Sequence, residues 1–518
     1  MKKLALLGLG LSFFALSACG NSTASQDDEL NIVTTFYPVY EFTKQVVGEE
    51  GTVDLLIEAG TEVHDFEPSA KDIAVIQEAD TFVYENENME TWVPDVLNTI
   101  DTDEVGVIKA TEGMLLLPGS EEEEHDHAEG EEHNHAYDPH VWLSPERSIT
   151  LVETIRDGLI AQYPEKKAVF EENAAAYIEK LEALHSQYTE TLSAAKQKYF
   201  VTQHTAFAYL ALDYGLHQVS ITGVSADQEP TATRLAELAE YIKTYGIKYI
   251  YFEENASSAV AETLAKETGV ELDVLDTLES VTTEAMDKGE DYISIMEANL
   301  VALEKTTSQA GVEILPEEGA ETAQTVYNGY FEDAAVKDRT LSDYAGEWQS
   351  VYPYLLDGTL DQVWDYKAKL KGGMTAEEYK AYYDTGYKTD VDQINITDNT
   401  MEFVVGDKSY KYTYNTMEFV VGDKSYKYTY KYVGYEILTY KKGNRGVRFL
   451  FEATDANAGD YKYVQFSDHN IAPVKTGHFH IYFGGESQEK LLEELENWPT
   501  YYPVGLTGLE IGQEMLAH

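Results

Sequence analysis

Two parallel α/β lobes joined by one long helix, then a mainly antiparallel β domain: three observations in the sequence predict this architecture. Short apolar runs alternate with amphipathic helical stretches from about Leu30 to about Lys305. Between the two sets of runs, Pro164 to Lys196 is helix-forming almost without a break. From Val391 onward the apolar period is close to two, as in an antiparallel sheet or barrel.

The chain opens MKKLALLGLGLSFFALSACG, with two lysines ahead of an apolar run, Leu4 to Ala18, that is too short to span a bilayer. Ending in Leu16-Ser17-Ala18-Cys19, residues 1–18 resemble a bacterial lipoprotein signal. The resemblance implies a lipid on Cys19, a polar tether over 19–29, and anchoring at the extracellular face of the membrane. Cys19 is the sole cysteine, so internal disulfides and thiolate metal sites are excluded and metal ligands must be His, Asp or Glu. A length of 518 residues predicts two or three domains. A formal charge of −56 excludes nucleic acid as a partner and suits a soluble body held off an anionic surface by a lipid anchor.

In the first domain, residues 30–305, LNIVTTFY, TVDLLI and DTFVYE read as strands of one lobe, and YFVTQ, IKYIYFE and VELDVL as strands of the other. The helical stretch from Pro164 is long enough to run the length of a small domain and to join the lobes stiffly. Between the lobes lies EEEEHDHAEGEEHNHAYDPHVW, from Glu121 to Trp142. His125, His127, His133 and His135 alternate there with carboxylates and leave no apolar face, which predicts a solvated metal-capturing loop over 121–137. Imidazole among oxygen ligands suits zinc better than calcium or magnesium. Fixed ligands are expected where strands hand over to helices. The candidates are His64 in GTEVHDFEPS, His140 in YDPHVWLSPE, His204 in FVTQHTAFAYL and Glu279 in LDTLESVT. Three imidazoles and one carboxylate complete a tetrahedral zinc set with no vacancy, which argues against catalysis. His185 and His217 are read as structural, and His518, the last residue, is expected to be disordered.

The order His64, His140, His204, Glu279, the histidine loop before the second ligand and the closing GEDYISIMEANLVALEKT resemble the metal-binding lipoproteins of high-affinity zinc ABC importers. The resemblance implies two lobes on a rigid helix, zinc between them and docking to a membrane permease. It also implies carboxylates at the third and fourth ligand positions in the manganese branch, so that His204 points to the zinc branch.

Residues 306–326 read as a linker, TTSQAGVEILPEEGAETAQ. In the second domain, 327–518, DHNIAPVKTGHFHIYFGG puts His478 and His480 on one face of a strand, with His469 beyond a turn region. A second, three-histidine metal site is predicted. Asp338 to His518 resembles the ZinT family, which implies a lipocalin-like barrel with zinc on His469, His478 and His480. Together the halves resemble two-domain zinc-binding lipoproteins of Gram-positive bacteria. One departure is an identical repeat, NTMEFVVGDKSYKYTY, at 399–414 and again at 415–430. One copy is expected to pair within the barrel while the other protrudes as a hairpin, since a closed barrel resists two added strands.

The function these readings imply is a monomeric, lipid-anchored receptor that binds zinc and passes it to an ABC permease, without enzymatic chemistry. Two rivals stand beside it. His469, His478 and His480 with a water would match a metal-dependent hydrolase or hydratase, and the acidic loop alone would serve surface zinc storage or adhesion.

Overall fold

The computed structural model describes residues 30–119, 137–222, 230–253, 258–311, 325–406, 411–413, 416–418, 423–440 and 443–517. The signal stretch, Cys19, the tether, His125, His127, His133, His135, most of the linker and His518 lie outside the described residues.

The first lobe holds four parallel strands, β1 (Leu30–Thr34), β2 (Gly51–Leu55), β3 (Thr81–Tyr84) and β4 (Gly106–Lys109), in the order β2-β1-β3-β4. The second repeats the plan with β5 (Tyr199–Thr202), β6 (His217–Ser220), β7 (Tyr249–Phe252) and β8 (Glu271–Val274), in the order β6-β5-β7-β8. The six strands predicted by apolar runs are all present. The two additional ones, β4 and β6, are four-residue edge strands. His217-Gln218-Val219-Ser220 carries one apolar residue, so this edge strand leaves little hydrophobic signal to read.

The joining helix runs from Lys167 to Ser193. Its buried residues, Phe170, Ala174, Tyr177, Leu181, Leu184, Tyr188 and Leu192, recur at intervals of three and four and form one stripe against both lobes. Each large side chain contributes about 1.5–3 kcal/mol by leaving water, and Leu181→Ala would cost about 2–5 kcal/mol. The helix Tyr292–Thr307 packs on it, started by an Asp291 capping box with Ser294 and tied by Tyr188, whose hydroxyl donates to the Met296 carbonyl at 2.7 Å. A stiff strut of about 40 Å thus sets how far apart the lobes stand.

The second domain is a closed eight-strand antiparallel barrel with helical additions. Its strands are β9 (Gly346–Ser350), β10 (Val391–Ile396), β11 (Thr400–Gly406), then, past a separate β12 (Lys411–Thr413) and β13 (Thr416–Glu418), β14 (Asp423–Thr439), β15 (Arg445–Ala453), β16 (Tyr463–Ser467), β17 (Phe479–Gly484) and β18 (Thr500–Pro503). They close in the order β10-β11-β14-β15-β16-β17-β18-β9 around Phe403, Phe449, Phe451, Phe466, Phe479 and Ile481.

The repeat corrects the expectation that one copy enters the barrel whole and the other protrudes whole. Each copy is divided. The first strand of copy one, β11, pairs with the second strand of copy two, in β14, from Thr400 opposite Thr429 to Gly406 opposite Asp423. The remaining halves, β12 and β13, pair with each other as a separate two-stranded ribbon, with Thr413 opposite Thr416. Added length therefore sits at the tip of an existing hairpin. The physical reason is that insertion at a tip leaves both flanking ladders continuous, whereas inserting a whole copy at either end would interrupt β14 or the β10–β11 turn.

The two domains dock through named contacts. Arg147, buried in the first domain, forks onto Asp213 (Nε–Oδ2 2.7 Å, Nη2–Oδ1 2.8 Å), lies 4.5 Å over the ring of Tyr366 and donates to its hydroxyl. Lys369 reaches the same Asp213 at 3.0 Å and Glu146 at 3.1 Å. Gln513 accepts from the Leu116 N–H at 2.8 Å and donates to the Leu116 carbonyl at 2.6 Å. Leu115, Leu116 and Leu117 then join Val363, Tyr366, Ile511 and Met515 in one apolar core that crosses the domain boundary.

Candidate metal centres

His64 follows the carboxyl end of β2, His204 that of β5 and Glu279 that of β8, where open parallel sheets present binding groups. His140 enters from the stretch beyond β4, as the residue preceding the buried turn Val141–Leu143. The fold brings all four together. His140 Nε2 stands 3.3 Å from His64 Nε2 and 3.3 Å from His204 Nε2. Glu279 Oε1 lies 3.4 Å from the Nε2 atoms of His140 and His204 and 3.8 Å from that of His64. Four atoms about 2.0–2.1 Å from a central tetrahedral ion stand about 3.3–3.4 Å apart, which the separations around His140 and His204 match and the wider one from His64 to Glu279 exceeds. Glu279 Oε1 is buried without a hydrogen-bond partner, which suits an atom that faces a cation.

The supporting groups fix which nitrogen is offered. His140 Nδ1 stands 2.8 Å from Asp138 Oδ1, and His204 Nδ1 meets Glu253 Oε1, leaving both Nε2 atoms for metal. Burial works against charge on His140, but Asp138 and Glu279 outweigh it and push its pKa up; Glu253 and Glu279 do the same more strongly for His204. Burial would raise Glu279, yet the three imidazoles hold it well below the usual carboxylate range. Leu278, the residue before Glu279, sits at φ 55° with its N–H held by Asp276 at 2.7 Å. A left-handed Leu costs about 1–2 kcal/mol and aims the next side chain.

In the barrel, His478 precedes β17 and His480 lies in it; His469 follows β16 at φ 63°, itself in the left-handed region. Ring centres stand 6.0 Å (His469–His478), 5.6 Å (His469–His480) and 5.9 Å (His478–His480) apart, and their ligand atoms converge. Thr500 donates to the Trp498 carbonyl at 3.0 Å, so its Oγ1 accepts from His480 Nδ1 at 2.7 Å and frees Nε2. His478 stacks on Tyr502 and His469 on Tyr327. Arg339, buried, grips Asp468 at 2.6 Å and the Val474 carbonyl at 2.7 Å, pinning the loop that carries His469. Burial, with the charges of His469, His478 and Arg448, pushes His480 well below the ordinary imidazole range.

His185 hydrogen-bonds Tyr214 at 3.0 Å and His217 stacks on Tyr199; neither joins a metal cluster among the described residues. The residues flanking the histidine-rich stretch meet through a Pro118–Tyr137 bridge and an Asp138 N–H donated to the Leu117 carbonyl at 2.9 Å. Sequence reasoning missed Asp138, Glu253 and Thr500. Asp138, two residues before a ligand, was open to reading; the other two carry no local signal.

The family described as zinc-uptake complex component A, periplasmic (ZnuA), matches residues 32–306, and the family described as ZinT (YodA), periplasmic lipocalin-like zinc-recruitment, matches 322–418 and 415–518. The two ZinT segments overlap within the second copy of the repeat. The zinc-binding lipoprotein AdcA of Streptococcus pneumoniae is 67% identical over 519 residues, covering 100% of both chains. The zinc-binding protein AdcA of Streptococcus pyogenes is 58% identical over 533 residues with the same coverage. The crystal structure of Zn(II)-bound AdcA from S. pneumoniae superposes with a TM-score of 0.83, covering 95% of this chain and 100% of that one. With both domains matched in order and along their whole length, the chain belongs to the zinc-uptake component A family, in its two-domain form with a ZinT domain at the carboxyl end.

Proposed function

We propose that this chain is the zinc receptor of an ABC importer, held at the extracellular face of the cell membrane by a lipid on Cys19, and that it hands zinc to a permease as a monomer. The observation that carries the reading is the closed set of His64, His140, His204 and Glu279, whose spacing suits a four-coordinate zinc ion. A set with no vacancy binds and releases; it does not activate water. Release requires the lobes to move, because the ligands come from both of them. His469, His478 and His480 form a second, exchangeable site, and His125, His127, His133 and His135 raise the local zinc concentration.

Catalysis at the barrel would need a general base beside the metal. The described residues lining that cavity include no aspartate or glutamate to act as that base, which leaves Lys367 and the tyrosines as its candidates. Among the described residues no helix is long and apolar enough to cross a membrane. The test is growth: deletion of the gene should halt growth in zinc-depleted medium, with rescue by excess zinc or by the intact protein but not by Glu279→Ala. Normal zinc-limited growth of the deletion strain would favour storage or adhesion instead.

A further inference from the structure

His469, His478 and His480 open into a cavity of about 1010 Å³, far more room than one metal-bound water needs. Its walls are aromatic and cationic, with Tyr383, Tyr482 and Trp498 beside Lys367, Lys371 and Arg448. The chain carries 93 acidic residues, yet none of the described residues lining this cavity is one. Lys367 is 6% exposed and donates to the Met515 carbonyl at 3.1 Å. Arg448, 1% exposed, donates to the carbonyls of Leu491 at 2.7 Å and Glu494 at 2.6 Å and lies 3.5 Å over the Tyr482 ring, while its Nε finds no acceptor. Carbonyl dipoles soften these buried charges but do not neutralise them, and a buried cation short of counter-charge is costly. Zinc on three neutral imidazoles would add two further positive charges and leave its fourth position open.

We propose that this cavity takes zinc together with a small organic carboxylate, one carboxylate filling the metal's fourth position and the remaining negative charge lying toward Lys367, Lys371 and Arg448. Hydroxide or chloride would complete the metal but would leave the buried Lys367 and Arg448 uncompensated. An anion with a second carboxylate, a hydroxy-polycarboxylate or an acidic amino acid, meets both charge demands, so the barrel recruits zinc in complexed form. The inference rests on the barrel histidines holding zinc.

Citrate is the probe. Calorimetric titration of the full-length protein, zinc-loaded and zinc-free, should show citrate binding at least about tenfold tighter with zinc present, with zinc still on the protein after desalting. Lys371→Gln, at an exposed helix position, and Lys367→Met should each weaken citrate about tenfold, the scale of one charge-assisted hydrogen bond, with the zinc count unchanged. Equal citrate affinity with and without zinc, or loss of zinc to citrate, overturns the proposal. The double variant His478→Ala, His480→Ala separates the two levels. If it keeps its full zinc complement, the barrel site itself is refuted; if it loses about one equivalent and citrate binding falls with it, the proposal stands.

Discussion

At the lobe interface the metal ligands bring their own counter-charge, Glu279 in the shell and Asp138 and Glu253 behind two of the histidines. At the barrel mouth the corresponding supports are neutral: Thr500 behind His480, and aromatic rings stacked on His469 and His478. On the proposed ligands both centres would use three imidazoles; the lobe centre would complete zinc electrostatically and sterically within the protein, whereas the barrel centre would leave charge and one coordination position to be met from outside. A closed centre suits retention until the lobes move apart. An open centre suits exchange, since an incoming ligand binds before any histidine leaves.

The sharpest way to break this comparison is to remove the internal counter-charge. Glu279→Ala should lower zinc affinity at the lobe site on the order of a thousandfold, about 4 kcal/mol, without touching the barrel; competition against a chromophoric chelator reads both sites, and equal losses at both would refute their independence. Next, the triple change His469→Ala, His478→Ala, His480→Ala should remove about one equivalent of zinc from the full-length protein, measured by elemental analysis, and impair growth only under severe zinc restriction. A smaller effect separates the supports: Glu253→Gln and Asp138→Asn should each cost about ten- to a hundredfold in lobe-site affinity, whereas Thr500→Val should fall below that range because a neutral acceptor is lost.

Proton linkage sharpens the contrast further. His140 and His204 have raised pKa values and His480 a strongly lowered one, so zinc entering the lobe site near neutral pH displaces protons that it does not meet at His480. Calorimetry in buffers of different ionisation enthalpy should show proton release at the lobe site and a steeper loss of affinity there as pH falls. Without zinc, the stability from the raised imidazoles is complete below their ordinary value of 6.5 and is lost as pH rises through their higher folded values. Glu279 contributes above its ordinary 4.5 and loses that contribution only as pH falls through its lowered folded value. His480, lowered, opposes the raised imidazoles as pH falls below 6.5, but Glu85 and Glu90, raised by burial, act with them, so the zinc-free protein should melt at higher temperature in mildly acidic than in mildly alkaline buffer. The smallest effects are expected outside both centres. Deleting Glu121 to His135 should slow zinc capture while leaving equilibrium affinity nearly unchanged.

Much of this was legible because the informative residues lie in local pattern: the strand runs, the long helical stripe and the single candidate ligands, each read within a motif of about ten residues. What escaped reading depends on distant chain segments. Glu253 reaches His204 across 49 residues, and Gln513 reaches Leu116 across 397, and no local periodicity encodes such pairs. Docking of the barrel domain on Leu115 to Leu117 also bears on the lobe site. The Leu117 N–H donates to the Tyr209 hydroxyl, which donates to the carbonyl of Asp138, the residue supporting His140. The repeat was misread for a different reason. Thr400 faces the same residue type whether it pairs with Thr413 or with Thr429, so pattern alone cannot choose, and the chain continuity of β14 decides.

That degeneracy has a genetic consequence. Removing 399–414, or 415–430, or any sixteen consecutive residues between those limits yields one and the same polypeptide, so the gene can contract at this point by many routes to a single product. The product keeps a hairpin in which Thr400 pairs with Thr413 in place of Thr429 and the Gly406–Asp423 pair gives way to the turn, while the β10–β11 and β14–β15 pairings are untouched. Its melting temperature and zinc content should equal those of the longer form. The tip of this ribbon is thus a length-neutral locus, where the chain can lengthen or shorten by one unit without any selection from the metal centres.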